Sequence, residues 1–220
     1  MGKIKYEYKV MVSEGAHLFF EKKLTPGMDS GDLSFFDREE GYIYICPRPN
    51  DSLNITDWGV LRPEDICVLD IDNNCVEDNG ILPTVESPMH VAIYKARPEV
   101  NAIVHSHPLW SSSFAITGKN IPLALAEQAL FLGGEVVCAE YGTVGSEELA
   151  QNIVKALGEE KTAALMRNHG AVAIGKSLKE AFVLAEFVEH GAQVAIMGKV
   201  LGEIIEIDPD NILDPSLIEE

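Results

Sequence analysis

The stretch Asn101-Ala-Ile-Val-His-Ser-His-Pro108 constrains the fold of this chain more than any other. Ala102, Ile103 and Val104 form a short apolar run of the kind a buried strand shows, and Pro108, which cannot donate to a sheet, ends it. Side chains two apart on a strand point to one face. His105 and His107 therefore project together, a strand repeat apart, close enough to bind one ion. Neutral imidazole suits zinc, and such a pair needs one or two further nitrogen or oxygen ligands. Two candidates stand out: Glu86 upstream in Pro83-Thr-Val-Glu86, and His169 downstream in Met166-Arg-Asn-His-Gly170. Alone, the His-x-His pair also reads as a satisfied polar pair at a strand end; with Glu86 and His169 in these contexts, metal binding is the expectation.

The elements on either side alternate between hairpins and helices. Loosely helical spacing of Val10, Met11, Leu18 and Phe19 predicts a helix from about Tyr6 to Lys23, broken by Thr25-Pro-Gly-Met-Asp-Ser-Gly31. Leu33–Phe36 and Tyr42–Cys46 flank an acidic, glycine-containing turn and predict a hairpin; Ile66–Ile71 predicts another strand. Ser87-Pro88 predicts a helix to Arg97, with Ser as cap, Pro at the first position and Glu86 at the entrance. A short helix from Leu109 to Ile116, a helical stretch from Ala124 to Leu132 and a strand at Val136–Ala139 follow. Ser146-Glu-Glu-Leu149 opens a helix with a capping-box-like start. Ala163–Met166 and Ala171–Ile174 are strands joined by the turn that holds His169. The longest helix runs from Ser177 to about Leu201 with an apolar stripe, and His190 on it reads as a surface or packing residue. The architecture these imply is a mixed, largely antiparallel sheet covered by helices. With 220 residues and 46% hydrophobic content, one domain is expected over 1–220, with 208–220 an acidic, proline-broken tail.

Thirty-five acids against seventeen bases give a net charge of −18 with no basic cluster, which excludes nucleic acid and anionic membrane as partners. Cys46, Cys67, Cys75 and Cys138 lack metal or redox spacing and read as reduced, buried thiols of a cytoplasmic protein. Neither a signal-peptide core nor a membrane-spanning run is visible.

Taken in order, Gly31-Asp-Leu-Ser34, Pro83-Thr-Val-Glu86, Ala102-Ile-Val-His-Ser-His107, Cys138-Ala-Glu-Tyr-Gly142 and Asn168-His-Gly-Ala171 resemble the class II aldolase/adducin family over almost the whole chain. The resemblance implies a three-layer α/β/α fold around the mixed sheet, and a cyclic homotetramer with active sites at subunit interfaces. It also implies zinc held by His105, His107 and His169, with Glu86 near the metal as a further ligand or as acid/base. Retro-aldol cleavage leaves negative charge on an enediolate, which a Lewis-acid metal stabilises while a nearby carboxylate moves the proton. Family 4-epimerases generally carry Asp at the position of Glu86, so Glu leans toward aldolase. Adducin-like members lack the metal histidines, and this chain has all three.

The departures concern the substrate. The resemblance places phosphate contacts at Gly31-Asp32, Arg48-Pro49 and Thr84-Val85, so Gly31, Asp32, Arg48 and Thr84 are the expected substrate-binding residues of a small-molecule site. Asp32 puts an acid where a phosphate contact is expected, and Val85 removes a hydroxyl. Arg48 either grips phosphate or carboxylate bidentately or is a solvent-facing loop residue. The family's proton-donating tyrosine aligns with Ala126; the adjacent Glu127 is either a substitute acid or a surface charge. The expectation is a zinc-dependent carbon–carbon lyase acting on a sugar phosphate or related hydroxy-carbonyl compound. Its alternatives are a zinc decarboxylase of a hydroxylated acid and a non-catalytic assembly module.

Overall fold

Seven strands form one sheet in the order β3-β2-β1-β4-β7-β6-β5, which puts the His-x-His strand, β4, at its centre. The computed structural model describes residues 2–27, 30–53, 55, 57–77, 80–208 and 211–212. The strands are β1 (Asp32–Asp37), β2 (Tyr42–Ile45), β3 (Cys67–Leu69), β4 (Ala102–Ser106), β5 (Val137–Ala139), β6 (Ala163–Met166) and β7 (Gly170–Gly175). Every pairing is antiparallel except β5 with β6. Most of the expected tail from Asp208 onward lies outside the described residues.

Strand alternation divides the core into two. Ala102, Val104, Ala171 and Ala173 pack against Val12, Ala16 and Phe19 of α1 (Tyr6–Glu21), Ala115 of α3 (Leu109–Ala115) and Phe182, Leu184 and Val188 of α5 (Leu178–Leu201). Ile103, Val172 and Ile174 pack on the opposite face against Met89 and Ile93 of α2 (Ser87–Ala96) and Leu149, Ile153 and Leu157 of α4 (Glu147–Leu157). Period-two strands with both faces buried need helices on both sides, and the result is an α/β/α sandwich.

Local chemistry sets the helix ends, with two differences from expectation. Ser146 and Ser177 are true N-caps, accepting the amide protons of Leu149 and Glu180. At α2 the cap position is Glu86, which makes no side-chain capping bond, and Ser87 is already helical. The expected helix over Ala124–Leu132 starts two residues later, at 126, and is π-helical over Gln128–Leu132. The buried Gln128 side chain causes this: its Oε1 accepts from Ala124 and Leu125 amides at 3.0 and 2.9 Å, so those groups are bonded outside any helix. The thiols also differ. All four are free, but only Cys46 and Cys67 are buried; Cys75 is exposed because it sits beyond β3, and Cys138 is half-buried on edge strand β5.

Candidate metal centre and active site

His105 is paired on both sides near the end of β4, with Asp32 of β1 and Val172 of β7, and His107 follows one repeat later, where its amide donates to Leu24 O at 2.9 Å. The third histidine comes from the β6–β7 hairpin, whose turn puts Asn168 at φ 57 and delivers His169 beside the end of β4. Two glycines make this approach possible. A Cβ on Gly170 would collide with Ser106 O, and one on Gly31, at φ +82, would lie 2.7 Å from His105 O. The three imidazoles converge with ring centroids 4.6, 4.9 and 4.8 Å apart, and one ligand atom from each lies within 4.8 Å of the others.

The tautomers follow from the outer bonds. His105 Nδ1 faces the Ala171 carbonyl at 3.1 Å, so it carries the proton and leaves the Nε2 lone pair inward. His107 Nδ1 meets Ser30 Oγ at 2.6 Å, and its Nε2 lies 2.9 Å from His105 Nε2. Burial drives His105 down to about 4, His107 to about 3 and His169 to about 4, with repulsion among the rings adding to it. Three neutral imidazoles with converging lone pairs are what a divalent cation of borderline softness requires, so the residues present fit the expected zinc.

Glu86 stands beside this group rather than in it, with Oε1 4.0 Å from His169 Nδ1. It is 3% exposed, and neither oxygen closes a well-formed hydrogen bond; His169 Nδ1 is likewise buried and unpaired. Burial, then the charge of Asp32, raises the Glu86 carboxyl to about 7, and the Gly145 amide offsets only part of this. A buried carboxyl with no well-formed hydrogen bond and titrating near neutrality can take or give a proton.

Of the four expected substrate contacts, two are committed elsewhere. Thr84 Oγ1 donates to Asp32 Oδ2 at 2.5 Å and accepts the Glu86 amide at 3.2 Å. Asp32 Oδ1 lies 2.7 Å from His90 Nε2, His90 Nδ1 2.7 Å from Ser34 Oγ, and Ser34 Oγ 2.7 Å from Tyr94 OH. All five side chains are buried. Burial alone would raise the Asp32 carboxyl, but His90, then His105 and the Thr84 hydroxyl, hold it well below the usual carboxylate range. Gly31 O accepts from Trp58 Nε1 at 3.0 Å, while Arg48 is exposed beside this corner, its amide donating to Leu82 O at 2.7 Å. Sequence reasoning missed His90, Ser34 and Tyr94. The available signal was spacing: His90 is four residues after Glu86, one helical turn along the same face. Glu127 and His190 are exposed.

An open cleft of about 900 Å³ covers His107 and His169, walled by the turn after α1, by α3 and by α5; Glu127 is not among its lining residues.

The profile of the Class II Aldolase and Adducin N-terminal domain matches residues 11–196. The chain belongs to the class II aldolase/adducin family. Among relatives in that family, a 5-deoxy-D-ribulose 1-phosphate aldolase of Bacillus thuringiensis serovar kurstaki is 32% identical over 195 residues, 89% of this chain and 83% of the relative. An L-fuculose phosphate aldolase of Methanococcus maripaludis is 33% identical over 187 residues, 85% of this chain and 94% of the relative. A solved L-fuculose 1-phosphate aldolase superposes with a TM-score of 0.87 at 32% identity, covering 95% of this chain and 94% of that one. The class II aldolase fold therefore extends over nearly the whole chain.

Proposed function

We propose that the protein is a zinc-dependent aldehyde-lyase that cleaves a carbon–carbon bond of a phosphorylated ketose, with His105, His107 and His169 as ligands and Glu86 as acid/base. One observation carries this reading: three neutral imidazoles converge beside a buried carboxyl that lacks a well-formed hydrogen bond. The relatives named as aldolases of ketose 1-phosphates support the substrate class. When bound, the metal supplies Lewis-acid charge against the negative charge that carbon–carbon cleavage develops. The chain's own residues do the rest. His105 and His107 are held in orientation by Ala171 O and Ser30, and Glu86 moves the proton at its carboxylate. The Thr84 hydroxyl, anchored on Asp32, holds the Glu86 backbone in place.

The same reading makes the protein a cytoplasmic homotetramer, supported by its four free thiols and by apolar surface on α5. The test begins with metal analysis: about one divalent ion per chain is expected for a closed set of imidazole ligands. The His105→Ala/His107→Ala double variant should lose the ion and keep the fold; full occupancy in that variant would refute the ligand set. Phosphorylated ketoses should then release aldehyde. Release of CO₂ from hydroxylated acids, with no aldehyde from any ketose phosphate, would overturn the lyase assignment.

A further inference from the structure

α3 links two of the three histidines. It starts just after His107, across Pro108, and at its other end the Ala115 carbonyl accepts the amide of Asn168 at 3.1 Å, one residue before His169. A shift or tilt of this helix therefore moves His107 and His169 relative to each other. Yet α3 has little of its own to hold it. Its seven residues are too few for a helix to be stable alone, and only Ser111 and Ala115 of them are buried. Pro108, at the cap position, makes no side-chain capping bond, so the amides of the first turn need an acceptor from elsewhere.

Glu189 supplies it. Its Oε1 accepts the Trp110 amide and its Oε2 the Ser111 amide, both at 2.8 Å, from 79 and 78 residues away in sequence. The helix dipole favours a carboxylate there, and charge-assisted bonds are the stronger kind. Glu189 is itself firmly placed, since on α5 it follows Val188 and precedes Ala192, both buried in the core. The two bonds thus tie the start of α3 to the body of the fold. His107 is also anchored by Leu24 O at its amide and by Ser30 Oγ at its ring, and both of those lie between α1 and β1.

Glu189 lines the cleft over His107 and His169, a place where an acid or base could also act. Its bonding decides against that role. Both Glu189 oxygens face backbone N–H groups, whereas neither Glu86 oxygen closes a well-formed hydrogen bond. Glu86 is left able to carry a proton, and Glu189 is committed to holding a helix.

We propose that Glu189 is a positioning residue for the histidine centre: by fixing the start of α3 it sets the spacing of His107 and His169, and with it the affinity and geometry of the metal they would hold. The metal part of this inference rests on the ligand set proposed above.

The test uses the full-length protein, stripped of metal and titrated with cobalt(II), whose visible absorption reports ligand geometry where zinc is silent. Glu189→Gln keeps one acceptor and turns an N–H group toward the other amide; Glu189→Ala keeps neither acceptor. Both should weaken cobalt binding about tenfold or more, the scale of losing an outer support of a metal ligand, and shift its spectrum. Ser177→Ala, which removes the cap at the far end of the same helix, is the control: it should lower the melting temperature and leave cobalt affinity and spectrum native. Native affinity and spectrum in Glu189→Gln and Glu189→Ala would overturn the inference and leave the three ligands standing. An equal loss in Ser177→Ala would overturn it too, because cobalt would then be reporting stability alone. A native protein that binds no cobalt, or a His105→Ala/His107→Ala variant that binds it as tightly, would remove the ligand set and this inference together.

Discussion

Glu86 is the residue on which the proposed chemistry turns, because it combines burial, closeness to the histidines and a proton affinity near neutrality. Glu86→Gln keeps its shape and removes only the exchangeable proton. Turnover should fall by roughly 10²-fold or more, with metal content unchanged. Native turnover with metal bound would make Glu86 structural. The same groups set a pH dependence for the metal-free protein. Folding lowers the three histidines from 6.5 to about 4, 3 and 4, so at pH 5 to 6 the unfolded chain holds more of their protons. Glu86 acts the other way, raised from 4.5 to about 7, so the folded chain holds one more proton there. The balance is about two protons in favour of the unfolded chain, so stability falls as pH drops from 6.5 toward 5. Urea midpoints of metal-free protein should follow that slope; a flat or rising midpoint on acidification would contradict it. The meeting of His105 and His107 was legible because strand periodicity puts them on one face. The bond from Asp32 to His90 was not, because it joins β1 to α2 across 58 residues and no local pattern links the two.

Elements show the same division between local and tertiary causes. The caps at Ser146 and Ser177 were readable, since a hydroxyl three residues before an amide needs no tertiary context. Ser146→Ala should cost about 1 kcal/mol in urea unfolding, and no loss would mean that α4 is held by packing alone. The shifted cap at α2 and the π-helical turn at Gln128–Leu132 were not readable. The first keeps the Glu86 side chain free of its own helix, and the second depends on a buried amide that bonds Ala124, Leu125 and the Pro122 carbonyl. Gly170 belongs to this scale too. Its Cβ position is filled by Ser106 O, so Gly170→Ala must push β7 away from β4 and displace His169. Weakened metal binding together with a lower melting temperature is the expected result; native values for both would show that the hairpin has slack.

At the scale of the whole molecule, α5 uses its inner face for the core and leaves apolar residues outside. Phe182, Leu184 and Val188 are buried, while Met197, Val200 and Leu201 are 55%, 78% and 91% exposed, and Ile205 beyond the helix is 90% exposed. Phe131, half-exposed, stacks on Phe187 at 5.0 Å and extends the apolar surface toward the π-helical turn. Contiguous exposed apolar residues of this kind mark an association surface, and a second copy of the chain is the occupant that the homotetramer reading supplies. The net charge of −18 opposes association, so assembly should tighten as salt screens the repulsion. Light scattering at micromolar concentration is expected to report a tetramer. Val200→Glu/Leu201→Glu, which adds charge to the exposed end of α5 without touching the core, should shift it to smaller species. A native monomer at every salt concentration would remove the quaternary reading and with it any interfacial active site. A double variant that stays tetrameric would move the interface elsewhere on the molecule. If the variant dissociates and loses turnover while its histidines still hold metal, the cleft needs a neighbouring subunit to work.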